Sequence, residues 1–167
     1  MAATYEPIAT TTLGSAQSSV TFGSGGTIPQ TYTDLICVMS IKNGSGTNYN
    51  TYVRFNDVTS SDYSVTYLYG TGSSAGSGRD TSTSNGIRVG YSNAGDFSTN
   101  IFHIFNYTNS TTYKTTLARA NDNASIVVAN VGLWRRTDYI NRFTLVNEAG
   151  ANFSAGSTFN LYGIKAA

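Results

Sequence analysis

The chain has 167 residues but one histidine and one cysteine, and 11% of it is charged, against about 25% in an ordinary globular protein. Its formal net charge is +1 and its longest basic run is the pair Arg135-Arg136, so it offers no electrostatic footprint for nucleic acid or anionic lipid. No window approaches 18 consecutive apolar residues, so no membrane-spanning helix is expected, and Met1-Ala2-Ala3-Thr4 does not open a signal peptide.

The apolar share is 40%, with 12 Tyr and 8 Phe, enough to build one real core. Apolar residues recur every second position, and Thr, Val, Ile, Tyr and Phe suit a pleated strand. In chain order, strands are predicted near 5–12, 19–23, 34–42, 50–57, 63–70, 86–92, 99–108, 113–120, 125–135, 139–147 and 158–165. Cys37 sits in the run Leu35-Ile36-Cys37-Val38-Met39, which makes it a small core residue. Asn43-Gly44-Ser45-Gly46 and Asn85-Gly86 supply turn residues tolerant of positive φ. The polar, glycine-rich run 70–78 is expected to be an exposed, mobile loop. Val127, Ala129, Val131 and Leu133 share one face of their strand, but apolar and Tyr residues occupy both faces of several strands. Which face is buried is therefore open. No segment shows a helical period over 11 residues. The expected fold is a single all-β domain over residues 1–167, an antiparallel β-sandwich of jelly-roll type.

General bases, nucleophiles and metal ligands come mostly from His, Cys, Asp, Glu and Lys, and the chain is short of them. Any Ser/His/acid triad would need His103, which alternates with Ile101 and Phe105 and reads better as a half-buried strand residue. No G-x-S-x-G elbow is present. A thiol nucleophile would pair Cys37 with His103, yet Cys37 has no electropositive neighbours in sequence. Two Cys/His residues are too few for an ordinary zinc site. Asn56–Asp62 holds two aspartates but reads as an Asx-type turn rather than a calcium loop. No carboxylate pair is marked out for glycoside cleavage. The chain is accordingly read as a non-enzyme with no catalytic, cofactor-binding or metal-ligating residue. Tyr49, Tyr52, Tyr63, Tyr67, Tyr69 and Tyr91 are weighed as cross-strand packing first, subunit or glycan contacts second.

Several segments resemble a family of small structural domains of tailed bacteriophages. They include Tyr5-Glu6-Pro7-Ile8-Ala9-Thr10-Thr11-Thr12-Leu13, Ile28-Pro29-Gln30-Thr31-Tyr32-Thr33-Asp34-Leu35 and Arg54-Phe55-Asn56-Asp57. Tyr67-Leu68-Tyr69-Gly70, Trp134-Arg135-Arg136-Thr137 and Leu161-Tyr162-Gly163-Ile164 follow in the same order. One departure is Asn56-Asp57, where relatives often carry Asn-Gly-Asp.

Such domains serve as tail-fibre or virion surface modules and as capsid decoration (cement) proteins. The resemblance implies a virion structural protein, made in the host cytoplasm and located on the head surface. Its expected partners are the major capsid protein and its own copies, as a homotrimer; no cofactor, nucleic acid or membrane partner is expected. With strands filling the chain and no shaft, decoration is preferred over a tail fibre. The alternative is a tail-fibre head that recognises a host surface glycan through the 70–78 rim and its flanking tyrosines. The Met1–Glu6 end is expected to add to a neighbour's sheet edge.

Overall fold

The computed structural model describes residues 4–83, 85–122 and 125–165. Of the Met1–Glu6 end, residues 1–3 lie outside them. The strands are β1 (Tyr5–Thr12), β2 (Ser19–Phe22), β3 (Asp34–Ile41), β4 (Tyr49–Phe55), β5 (Tyr63–Gly70) and β6 (Ala75–Thr83). They continue with β7 (Ile87–Ser92), β8 (Ser98–Ile104), β9 (Lys114–Asn121), β10 (Val127–Trp134), β11 (Phe143–Asn147) and β12 (Thr158–Ile164). An eight-stranded sheet runs β1-β12-β3-β8-β9-β10-β5-β6, and a four-stranded sheet runs β2-β11-β4-β7. Neighbouring strands pair antiparallel in both. The chain repeatedly crosses from one sheet to the other, which gives the antiparallel, jelly-roll β-sandwich.

The core lies between the sheets. Leu35, Cys37, Met39, Phe102, Ile104, Phe159 and Leu161 face Val20, Phe22, Val53, Phe55, Phe143 and Leu145. Trp134 is fully buried, 5.3 Å from the Phe55 ring and stacked on Tyr63 at 6.3 Å. The Tyr63 hydroxyl accepts from Phe55 N at 3.0 Å and donates to the Val58 carbonyl at 2.9 Å. Those bonds tie the end of β4 to the start of β5.

Three expectations are corrected. The run 70–78 is not one loop: Thr71 N donates to Ser74 O at 2.9 Å in a tight turn, and β6 begins at Ala75. Its glycines serve pairing rather than freedom. Gly76 lies opposite Tyr69 and Gly78 opposite Tyr67, and a Cβ on Gly76 would sit 2.6 Å from the Tyr69 hydroxyl. The aromatic rings of β5 cover the bare backbone of β6.

The strand expected over 139–147 starts only at Phe143, because residues 139–142 spend their hydrogen bonds on other loops. Ile140 N donates to Tyr107 O, and Asn141 N to the Asn56 side chain. The strand expected to run to 108 stops at Ile104, and Asn106 turns the chain at φ 49°. The Asn56-Asp57 turn forms without glycine: both residues take positive φ, 50° and 58°, and Val58 N closes onto Phe55 O at 2.9 Å.

The smaller sheet's edge strand, β7, crosses β8, β9, β10 and β5 at close range. Under that crossing the inward residues of β9 and β10 are Thr116, Ala118, Asn130 and Gly132, small or polar for that reason, while Trp134 fills the core at the end of β10. A Cβ on Gly132 would lie 2.5 Å from Thr116 Oγ1 and collide with Ile87. Asn100 clasps β7, its Oδ1 accepting from Tyr91 N at 2.9 Å and its Nδ2 donating to Tyr91 O at 3.0 Å. Gly132→Val should therefore lower the unfolding free energy by about 1–3 kcal/mol in urea titrations, through overpacking against two stiff β-branched neighbours; an unchanged midpoint would contradict this contact.

Burial pushes the Tyr63 phenol up to about 12, from an ordinary 10.0. Tyr52, Tyr91 and Tyr107 are raised by the same first cause. The folded state favours the neutral phenol, so this stabilisation is complete below the unfolded value of about 10 and is lost as pH climbs towards about 12. Urea midpoints should hold to about pH 9 and fall above about pH 10, more shallowly in Tyr63→Phe; a wild-type profile that stays flat to about pH 12 would contradict it.

Candidate functional site

The most distinctive surface is the outer face of the eight-stranded sheet. Strand alternation turns Val127, Ala129, Val131 and Leu133 outward and Val128, Asn130, Gly132 and Trp134 inward. Across the ladder, Val131 lies opposite Leu117, and Ala129 opposite both Arg119 and Leu68. Ile101 and Val38 continue the apolar row onto β8 and β3. Leu68, Val127 and Val131 are 62%, 63% and 55% exposed. An open hollow lies among them, lined by Leu68, Gly70, Ile101, Arg119, Val127 and Ala129. In the middle of β10 the usual polarity is reversed, with Ala129 and Val131 facing water and Asn130 facing in. Behind the apolar face, Asn130 is 1% exposed, and neither atom of its amide finds a partner among the described residues.

The smaller sheet carries a polar cleft instead. Tyr52, Arg54, Thr144 and Val146 line it, with Glu148 and Asn85 at its ends. The Glu148 carboxylate accepts from Asn50 Nδ2 at 2.8 Å, and Arg54 Nε donates to Asn85 O at 3.0 Å. The tyrosines divide accordingly. Tyr63 is core, Tyr67 and Tyr69 cover β6, and the Arg88 guanidinium stands 4.5 Å over Tyr67 while pairing with Asp80 at 3.0 Å.

The residues weighed for catalysis are not brought together. His103 faces outward on β8, half-buried, 3.2 Å from Asp34 and with its ring tilted against that of Phe105, the centroids 4.0 Å apart. Cys37 points into the core opposite Phe102, so the sheet itself separates thiol from imidazole. Burial raises the Cys37 thiol far above its ordinary value. Asp57 pairs with Arg142 at 2.8 Å, and Asp62 with Arg136 at 3.6 Å. Among the described residues no group of three His, Cys, Asp or Glu could hold a metal ion, and no helix is long and apolar enough to cross a membrane.

One buried ionisable group escaped the sequence reading. Lys114 is fully buried at the start of β9, and burial lowers its ammonium pKa. Its Nζ donates to the carbonyls of Thr112 at 2.8 Å and Thr137 at 3.1 Å. It ties two loops together and meets no reacting group.

No protein-family model and no curated protein matches the sequence. Among solved structures, the chain is similar to domains LG4-5 of the mouse laminin alpha1 chain, at 9% identity and TM-score 0.32, over 91% of this chain and 40% of that one. It is also similar to the catalytic domain of an endo-1,3-beta-glucanase (laminarinase) from Thermotoga petrophila RKU-1, at 11% identity and TM-score 0.28, over 89% and 69%. An exo-inulinase from Aspergillus awamori matches at 11% identity and TM-score 0.33, over 96% of this chain and 29% of that one. The chain thus spans well under two thirds of the laminin and inulinase chains. Likenesses this weak carry no activity or substrate across to it.

The buried thiol gives a direct check on this side-chain arrangement. Ellman's reagent at about pH 8 should leave the native protein unlabelled and titrate one thiol on unfolding; rapid labelling of the native protein would place Cys37 outside the core.

Proposed function

We propose that the chain is a non-enzymatic structural protein of a tailed-phage virion, and within that a decoration protein that binds and stabilises the head shell. One observation carries the reading: its most distinctive surface is a charge-poor sheet face that exposes Leu68, Leu117, Val127 and Val131, not a cleft with converging catalytic groups. Surfaces of that kind bind other proteins. The segments resembling small phage structural domains run nearly end to end and supply the kind of assembly. Each bound copy would stabilise the shell by mass action, because it binds the assembled lattice and not the free subunit.

Incubating the full chain with purified shells that lack it should give saturable binding. The binding should survive high salt, since few charges contribute, and should raise the temperature at which the shells come apart. Failure to bind any shell, or turnover of a polysaccharide by the purified chain, would contradict the reading.

A second reading, a fibre head that binds a host surface glycan, is favoured by the polar cleft that holds Arg54 and Glu148, which offers charged hydrogen-bonding groups. The rim expected from the sequence suits it less, because Tyr67 and Tyr69 are engaged on Gly78 and Gly76. Binding on a glycan array that Arg54→Ala abolishes, with no affinity for shells, would favour this second reading.

A further inference from the structure

We infer that two copies of this chain pack face to face through the outer surfaces of their eight-stranded sheets, about a two-fold axis. The pairing goes beyond the virion reading and holds whether or not the assembly is a virion.

The first argument is charge. Among the outward residues of β8, β9, β10 and β5, Arg119 is the one side chain of fixed charge. No oppositely charged partner is called for, and a copy of the same face meets it without a field of like charges. Arg119 is exposed and lines the hollow, and a long basic side chain there can lay its stem along the apolar surface while its head reaches water.

The second argument is shape. A two-fold contact must be complementary to itself, so that what protrudes from one copy fits what recedes in the other. The face holds both features side by side. Leu117 and Val131 form a cross-strand ridge, 44% and 55% exposed. Two residues along β10 from Val131, the small residue Ala129 lines the hollow with Gly70. That step is about 6.6 Å, which is side-chain spacing. An axis passing between ridge and hollow seats each copy's ridge in the other's hollow.

The third argument is area. Eight strands about 4.8 Å apart and about seven residues long present a face of about 900 Å² in plane, close to the ~800 Å² per partner of a stable specific interface. Strands β8, β9, β10 and β5 supply about half of it, and its exposed Leu and Val residues lie there, interspersed with Thr66, Thr99, Thr115 and Asn121. Thr10, Asn160, Ser77 and Arg79 stand on the outer strands, the polar rim such an interface carries. Aligned packing of two such sheets is an established way to bury them. This pairing differs from the homotrimer expected from the sequence, and the oligomeric state measured in solution separates the two.

Sedimentation equilibrium of the full chain between about 1 and about 100 µM covers the range in which a face of this size should associate. The expected species is a dimer, twice 17.8 kDa, and it should persist at high salt because apolar burial does not weaken there. Val131→Arg and Leu68→Arg should each weaken association at least ~100-fold, since each buries an unpaired charge against its symmetry mate. Far-UV circular dichroism of these variants should be unchanged, because both side chains are exposed in the single copy. A wild-type monomer across the whole range, a trimer, or a dimer indifferent to both substitutions would overturn the inference. The wild-type measurement decides even if a variant does not fold. It needs no shell, so its failure and that of the virion reading are separate results.

Discussion

The seat of Ile87 on Gly132 is the contact on which the rest of this structure depends. It lets the edge strand of the smaller sheet lie almost directly on β9 and β10. There is then no room for large inward side chains, and the sequence supplies Thr116, Ala118, Ala120, Asn130 and Gly132 at those positions. Asn100 and Ser98 use the same closeness differently, bonding the backbone of β7 at Tyr91, the Ser98 hydroxyl at 2.5 Å from the carbonyl. An edge strand whose outer groups are satisfied by side chains is closed to further pairing.

Leucine and valine on β9 and β10 therefore stand on the other side of the large sheet, facing water. An isolated domain gains nothing from that arrangement, because exposed apolar area contributes no burial. It becomes stabilising only when something covers it, at roughly 25 cal/mol per Å² of apolar surface removed from water. Close packing at one end of the sandwich and an apolar outer face are thus two sides of one geometric fact. The chemistry of the chain agrees with a covering role. Its histidine is held by Asp34 and Phe105, its cysteine is sealed in the core, and its buried lysine ties loops together.

Much of the fold was legible in the sequence because alternation is a direct imprint of the pleat. Eleven of the strands lie where the period of two placed them, with ends displaced where a loop competed for hydrogen bonds, as at residues 139–142. Strand β6 was not legible. Gly76, Ser77 and Gly78 carry no strand signal of their own, and their pairing depends on tyrosines of β5 that cover them. That is a tertiary effect, visible only as Tyr67-x-Tyr69 set against Gly76-x-Gly78 across a turn. The apolar row Val127, Ala129, Val131 and Leu133 was legible as a shared face, but its direction was not. Alternation says which residues share a side, never which side is in. The companion set Val128, Asn130, Gly132 and Trp134 mixes a small and a polar residue with the largest core side chain, so composition did not decide between the two faces.

The central claim is that the outer face of the large sheet is covered when the protein is at work. Methyl NMR with a soluble paramagnetic agent tests it most directly, because the agent broadens only those methyl groups it can reach. As concentration rises, the methyls of Leu68, Leu117, Val127 and Val131 should become protected together, while those of exposed residues elsewhere stay accessible. Uniform accessibility of these four at every concentration, with and without shells, would contradict it.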